Sequence, residues 1–532
     1  MKDNRRMPAR SFAAVCMIFH AFHHLAVDAH LHDRTAFVIM SQEAHEKMAD
    51  NTKEKIVQSL TDVGVNEPHV ILLHKDLPPH GGWTVFPILG PLLKRYGNTI
   101  DWFLFLDEAS AIDPIWLGEI LRKHNPKDLV FLGKALKDKD SVIIHHYSQD
   151  FEFKYPDFSA GFVFSSALLE KLSNKLKDNN FNLKDFPKDF SIGEYLNRYK
   201  EFYIRLFILH SKYHVNSFTV DSFSDAQYEL AKVIKDVQSD IENGNKHENN
   251  PQSVTLTHDK GFCVTYSKLC ATWKQETNCK ATTEEVRAMA EKTLFAVKTC
   301  EKYHSERLPI VFETWGQAAV NIEYFSEVSD PVYGTKVLPE VKQNTERGHC
   351  MKTEAILRYF KNNKKVHGWE WLVIADDDTL MSAHKMLEFL KCYNPMDALA
   401  IGQRYGFRVA EGKYGYDYIT GGGGMVFSSK MVDTMLKEDG AYCYCPKPDT
   451  PDDMHLAGAC IANLGLAVVH TDRFHQARPE DYPPSLLKHR DPISFHKFWN
   501  NKPLEIYKKY FADADKNLKD YKFSKKTRHQ EL

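Results

Sequence analysis

Trp371-Leu372-Val373-Ile374-Ala375-Asp376-Asp377-Asp378-Thr379 sets five apolar or small residues directly against three carboxylates. A short apolar run of this kind reads as a strand buried on both faces of an α/β sheet. Three aspartates cannot lie unpaired in a dry core, so the strand surfaces where they begin. Strand alternation places Asp376 and Asp378 on one face and Asp377 on the other. Carboxylate oxygens at the C-terminal edge of such a sheet suit Mg²⁺ or Mn²⁺, and such ions commonly hold a nucleotide diphosphate there. The stretch alone equally fits a solvated turn that caps a following helix, Ala383 to Lys391.

The rest of the chain bears on that choice, because the stretch has a counterpart. Trp102-Phe103-Leu104-Phe105-Leu106-Asp107-Glu108-Ala109-Ser110 aligns with it without gaps, so that Asp107 meets Asp376, Glu108 meets Asp377 and Ala109 meets Asp378. Downstream, Ala160-Gly161-Phe162-Val163-Phe164-Ser165-Ser166 parallels Gly423-Gly424-Met425-Val426-Phe427-Ser428-Ser429, and Asn125-Pro126 parallels Asn394-Pro395. An internal duplication implies two related domains. Apolar strands at Ala36 to Met40, Val70 to Leu73 and Leu294 to Thr299 alternate with helical stretches, which predicts mostly parallel α/β sheets. The spans expected are a first domain over 30–238, a polar linker over 239–260 and a second domain over 261–528. The basic stretch Lys502 to Lys526 reads as a solvated helix and tail.

The chain has 532 residues, 43% of them hydrophobic, which is enough for two ordinary cores. Its 69 Lys and Arg balance 71 Asp and Glu, which argues against nucleic acid or an anionic membrane as main partner. Residues 1–29 read as a secretory signal: Lys2, Arg5, Arg6 and Arg10 precede an apolar stretch from Phe12 to Val27. No later run predicts a second membrane span. His529-Gln530-Glu531-Leu532 resembles the Lys-Asp-Glu-Leu retrieval address, so residence in the endoplasmic reticulum lumen is expected. Nine cysteines lie beyond the signal and none repeats a C-x-x-C spacing, which favours disulfides over structural zinc and leaves at least one thiol over. The four from Cys263 to Cys300 are expected to staple the start of the second domain.

Two further motifs carry candidate chemistry. Gly421-Gly422-Gly423-Gly424 follows the Asp strand, and four glycines let backbone approach a ligand closely. Pro451-Asp452-Asp453-Met454 opens an apolar helix from His455 to Asn463; one aspartate suffices as a cap, and the other is free to act as a base. The residue as far beyond Gly161 as Asp453 is beyond Gly424 is Phe190. The first copy thus lacks a third metal carboxylate and the candidate base, a difference that a purely structural role does not explain.

The second half resembles the fringe-type β-1,3-glycosyltransferases. The likeness rests on Phe295-Ala296-Val297-Lys298-Thr299, Glu313-Thr314-Trp315, Asp376-Asp377-Asp378, Thr420 to Gly424, Pro451-Asp452-Asp453 and Ser494-Phe495-His496. It implies two tandem nucleotide-sugar-transferase-like domains of the GT-A type, the first degenerate. It further implies inverting transfer of glucose from UDP-glucose to the 3-hydroxyl of O-linked fucose on folded thrombospondin type 1 repeats. Asp376, Asp378 and His496 are implied to hold Mn²⁺, with His470 competing for the histidine role. Asp453 is the implied base and Asp452 the fallback. Lys298, Thr299, Asp376, Asp377, Arg404, Gly422, Gly423 and Gly424 are the implied nucleotide-sugar contacts. The alternatives are another UDP-sugar donor, or a lumenal module that binds glycans or folded repeats without catalysis. The first half is a candidate docking domain for the protein acceptor.

Overall fold

A computed structural model describes residues 29–77, 85–97, 99–136, 154–177, 256–274, 280–341, 343–345, 348–407, 416–440, 443–498 and 501–530. The signal-like and retrieval-like ends and Phe190 therefore lie wholly or partly outside the described residues. Among the described residues, no helix is long and apolar enough to cross a membrane.

The first half builds strands β1 (Thr35–Met40), β2 (His69–Leu72), β3 (Trp102–Asp107), β4 (Ser110–Ile112), β5 (Phe131–Gly133), β6 (Phe162–Ser165), β7 (Leu256–His258) and β8 (Thr272–Lys274). The second half builds β9 (Thr293–Lys298), β10 (Asn321–Ser326), β11 (Thr335–Val337), β12 (Trp371–Asp376), β13 (Thr379–Met381), β14 (Ala400–Gly402), β15 (Arg404–Phe407), β16 (Tyr416–Ile419), β17 (Met425–Ser428), β18 (Val469–His470) and β19 (Ser494–His496). The first sheet runs β2-β1-β3-β6-β5-β7, and the second β11-β10-β9-β12-β17-β14-β18. The expected α/β architecture is present in both halves, mostly parallel except where β6 and β17 run antiparallel to their neighbours.

The duplication is visible in the register. Trp102 pairs with Ser165 as Trp371 pairs with Ser428, and Gly133 pairs with His258 as Gly402 pairs with His470. This moves the domain boundary. β7 lies within the span read as linker and β8 within the span read as second domain, yet both pair with first-half strands. Each counts only a few residues with little apolar character, so composition alone hides them.

β12 owes its central place to apolar residues on both faces. Trp371, Val373 and Ala375 enter one core cluster while Leu372 and Ile374 enter another, all of them buried. The first of these clusters also takes Phe103 and Phe105 of the first sheet, so a single core runs through both halves.

The C-terminal stretch is a packed element. Two helices, Pro503–Tyr510 and Ala512–Gln530, follow one another there. Phe511, Asp515 and Leu518 are buried, and Asp515 accepts bonds from the Ser382 hydroxyl (2.7 Å), the His384 amide (2.9 Å) and the Tyr507 hydroxyl (2.7 Å). Charge density disguised this buried seam as a solvated tail.

Disulfides join Cys263 to Cys270, Cys350 to Cys445 and Cys443 to Cys460, and Cys392 is also disulfide-bonded. Cys300 is a buried free thiol, so the four cysteines from 263 to 300 are not one staple. The Cys263–Cys270 bridge belongs to the first half.

Candidate active site

The site forms where β12 ends. The turn after Asp376 is fixed on several sides. The Asp376 amide donates to the Thr379 hydroxyl, which donates to the Gly422 carbonyl at 2.9 Å. The Lys497 amide donates to the Asp378 carbonyl at 3.0 Å. The three aspartates then separate as strand alternation predicts. Asp377 turns toward Thr299 (2.8 Å) and Arg307 (2.7 Å), while Asp376 and Asp378 turn toward His496.

Asp376, Asp378 and His496 each offer a ligand atom within 4.8 Å of the others. His496 Nε2 lies 3.0 Å from Asp378 Oδ1 and 3.9 Å from Asp376 Oδ2. Its Nδ1 lies 3.2 Å from the Gln476 carbonyl, an arrangement that fixes the ring as metal-binding histidines commonly are fixed. Two carboxylates and one imidazole fit a divalent ion such as Mn²⁺. Burial works against the Asp376 charge, yet Lys298, His496 and His349 hold its carboxyl down at about 2. Burial likewise opposes the charge on His496, but Asp378 raises its pKa.

The glycine turn packs directly on this cluster. A side chain at Gly422 would run into the His496 imidazole, and Gly424 takes φ +96°, a conformation that favours glycine. The Gly423 amide donates to Gln476 Oε1 at 3.0 Å. A Cβ at Gly421 would sit within 4.0 Å of Asp453, Lys298 and Asp376 alike, so the backbone there is the meeting point of the base candidate and the carboxylate cluster.

The paired aspartates occupy different environments. Asp452 accepts from Lys298 Nζ at 2.5 Å and from the Thr353 hydroxyl at 2.5 Å, and Lys298 also lies 3.1 Å from Asp376. Burial opposes the Asp452 charge, but Lys298 keeps its pKa below the ordinary value. Asp453 accepts backbone bonds from Gly421 (3.3 Å) and Met454 (2.8 Å) and, among the described residues, has no cationic partner at hydrogen-bond distance. Burial, and then the neighbouring Asp452 charge, push Asp453 up to about 6. Such a carboxyl suits general-base work near neutral pH. The helix that follows begins with a π-helical stretch, His455–Cys460, where a regular apolar helix was expected.

A cavity of about 480 Å³ opens beside the cluster, a volume in the range of small-molecule sites. Lys298, Thr299 and all three aspartates line it with His496. Tyr303, Arg307, His349 and Lys352 also line it and were not singled out by sequence. The Arg307 guanidinium lies over the Tyr303 ring, 3.6 Å from its centroid. Arg404, Gly422, Gly423, Gly424, Asp452 and Asp453 are not among the lining residues. Arg404 lies on the β15–β16 hairpin, 4.0 Å from Asp417, and the three glycines shape the turn that supports His496. His470 is buried at the contact with the first half, where its amide donates to Gln42 at 2.7 Å. It is therefore no rival to His496.

In the first half Ala109 leaves the equivalent cluster short of one carboxylate. The copies lose step beyond the glycine turn, because more residues separate Gly161 from His258 than Gly424 from His470. A gap-free count through that span does not identify the partner of Asp453, so Phe190 loses its warrant as that partner.

Comparison with known proteins agrees with these features. A protein named beta-1,3-glucosyltransferase in Homo sapiens is 36% identical over 495 residues, covering 90% of this chain and 85% of that one. Its namesake in Mus musculus is 35% identical over 494 residues, covering 90% and 87%. The fringe glycosyltransferase of Drosophila melanogaster is 24% identical over 201 residues, covering 34% of this chain and 48% of that one. The Fringe-like family profile matches residues 92–262 and again 288–519, once in each half. With most of its length so matched, the chain belongs to the Fringe-like family and is a β-1,3-glycosyltransferase.

Proposed function

We propose that the protein is an inverting β-1,3-glucosyltransferase that moves glucose from UDP-glucose to the 3-hydroxyl of O-linked fucose on folded thrombospondin type 1 repeats. The observation that carries the chemistry is the proximity of Asp453 to the Asp376–Asp378–His496 cluster across Gly421. The donor sugar rests on the names of the similar proteins. The acceptor rests on the resemblance of the motif set. Residence in the endoplasmic reticulum lumen is part of the proposal and is supported by the disulfides.

In this reading Asp376, Asp378 and His496 hold Mn²⁺, which when bound neutralises charge on the departing diphosphate. Arg307 orients Asp377 and Asp378, from 2.7 and 3.2 Å. Lys298 keeps Asp376 and Asp452 ionised side by side, with its own pKa raised by both against the effect of burial. Asp453 takes the proton from the fucose 3-hydroxyl as that oxygen attacks the anomeric carbon. The bond from that carbon to the diphosphate breaks and the configuration inverts.

The test is transfer by purified protein with Mn²⁺ and a fucosylated thrombospondin repeat. UDP-glucose, UDP-galactose and UDP-N-acetylglucosamine are offered separately, beside an Asp453→Asn control. Transfer from UDP-glucose alone, lost in the control, is the expected result. Transfer from another donor would move the specificity and keep the mechanism. No transfer from any donor by folded protein would leave a binding module.

A further inference from the structure

β8 pairs with β4 as β19 pairs with β13. Lys274 faces Ser110 in the first half where His496 faces Thr379 in the second, and Ser110 and Thr379 hold the same place in the two Asp stretches. The equivalence extends to neighbours. The Thr272 hydroxyl donates to the Ala160 carbonyl at 2.5 Å, and the Ser494 hydroxyl donates to the Gly423 carbonyl at 2.5 Å. Lys274 therefore occupies the position of the metal-site histidine in the copy that lacks the third carboxylate. Its ammonium lies 3.5 Å from Asp107, the counterpart of Asp376.

The same ammonium reaches the second half, where it lies 3.2 Å from Asp472. Asp472 also takes Arg490 at 3.1 Å, and Arg490 returns to the first half through Asp157 at 3.1 Å. Beyond Asp472 the chain runs alongside β19, with the Ile493 amide donating to the Arg473 carbonyl at 2.8 Å. It then reaches Gln476, whose carbonyl holds His496 Nδ1 and whose side chain holds Gly423. The anchored segment is thus the one that orients the histidine.

We propose that Lys274 is a positioning residue for the second half: its ammonium takes the place of a divalent ion in the first half and, through Asp472, fixes the segment from His470 to Arg478 that orients His496. The first half thereby serves catalysis through its own vestigial site. Burial disfavours the Lys274 charge, but Asp107 and Asp472 raise its pKa above the ordinary lysine value. The inference rests on the reading of Asp376, Asp378 and His496 as a metal site.

The experiment uses the full chain with Lys274→Gln and Lys274→Arg, circular dichroism serving as the check on folding. Mn²⁺ affinity is measured by electron paramagnetic resonance, and amide hydrogen exchange is followed over residues 470–478. Lys274→Gln is expected to weaken Mn²⁺ binding about 10-fold, as loss of an outer-shell support does, and to speed exchange in that segment. Lys274→Arg is expected to recover both. Unchanged Mn²⁺ affinity in folded Lys274→Gln overturns the proposal. Should that variant not fold, Asp472→Asn carries the same two readouts and expectations. If wild-type protein binds no Mn²⁺, the metal reading itself has failed. The exchange measurement then decides the anchor alone, and unchanged protection overturns it.

Discussion

Asp452 and Asp453 are adjacent in sequence and opposite in electrostatics. Lys298 sits 2.5 Å from Asp452 and keeps it charged, whereas Asp453, among the described residues, meets only backbone donors and is pushed up to about 6. The two positions should respond differently to the same substitution. Asp453→Asn removes the proposed base and is expected to lower turnover by about 10²- to 10⁴-fold. Its melting temperature should hold or rise, because burial disfavours the charge that is lost. Asp452→Asn leaves the buried Lys298 short of a counter-charge, a change of the kind that costs about 3–5 kcal/mol. Thermal melts beside transfer assays check both. Equal loss of stability in the two variants would refute the division of roles.

The raised Asp453 carboxyl also sets a pH dependence. Its pKa rises from 3.8 to about 6 on folding, so the folded chain binds this proton more tightly than the unfolded one. The contribution of this group to stability therefore falls as pH increases from about 3.8 to 6. In the proposed mechanism activity needs the bare carboxylate and moves the other way, with kcat/KM expected to rise through about pH 6 and level above it. Burial also pushes Asp377 up to about 6, so the assignment needs a control. The residual rate of Asp453→Asn is expected to lose this limb, and a limb that survives in that variant would transfer the titration to Asp377.

The disulfide between Cys350 and Cys445 spans 95 residues and ties the segment that leads to Asp452 back to the helix Cys350–His367. In the same contact the Cys445 amide donates to Glu354 at 2.9 Å. Cys350→Ser with Cys445→Ser is expected to cost about 2–5 kcal/mol, chiefly by freeing the unfolded chain. The Cys443–Cys460 bridge remains to hold the aspartates. Denaturant unfolding should therefore report a clear loss while activity of the folded fraction persists. Loss of activity at full occupancy of the folded state would mean that the long bridge positions Asp453.

The fold and the carboxylates Asp376 and Asp378 were legible because both are written in contiguous runs. β12 shows its burial as unbroken apolar sequence, and its copy at β3 repeats it without gaps. His496 came through a motif carried by resemblance. Lys274 was hidden, since the copies fall out of step before β8 and only strand pairing places it opposite Ser110. Gln476 acts through a backbone carbonyl and an amide, groups that no motif marks. Arg307, on the helix His304–Glu313, reaches the aspartates across a long sequence separation. Arg404 and the glycines stand off the cavity wall for a related reason: glycine runs announce close approach without saying to what, and here Gly422 approaches a histidine.

Gly422 therefore offers a selective test of the cluster. A Cβ built there clashes with the His496 ring, which is itself held between Asp378 and the Gln476 carbonyl. In Gly422→Ala either the imidazole swings away or the turn shifts, and both outcomes pull Nε2 off the position it shares with Asp376 and Asp378. The φ of Gly424 is untouched and the strands on either side stay paired, so the sheet should persist. We expect near-native circular dichroism with Mn²⁺ affinity down about 10- to 100-fold, the range for disturbed support of a metal ligand. His496→Gln, which removes the ring and the steric conflict together, should weaken binding by a similar factor. In the double variant the two losses should not add, because the alanine then has no imidazole to displace. Full additivity in that cycle would mean that Gly422 acts elsewhere than on His496.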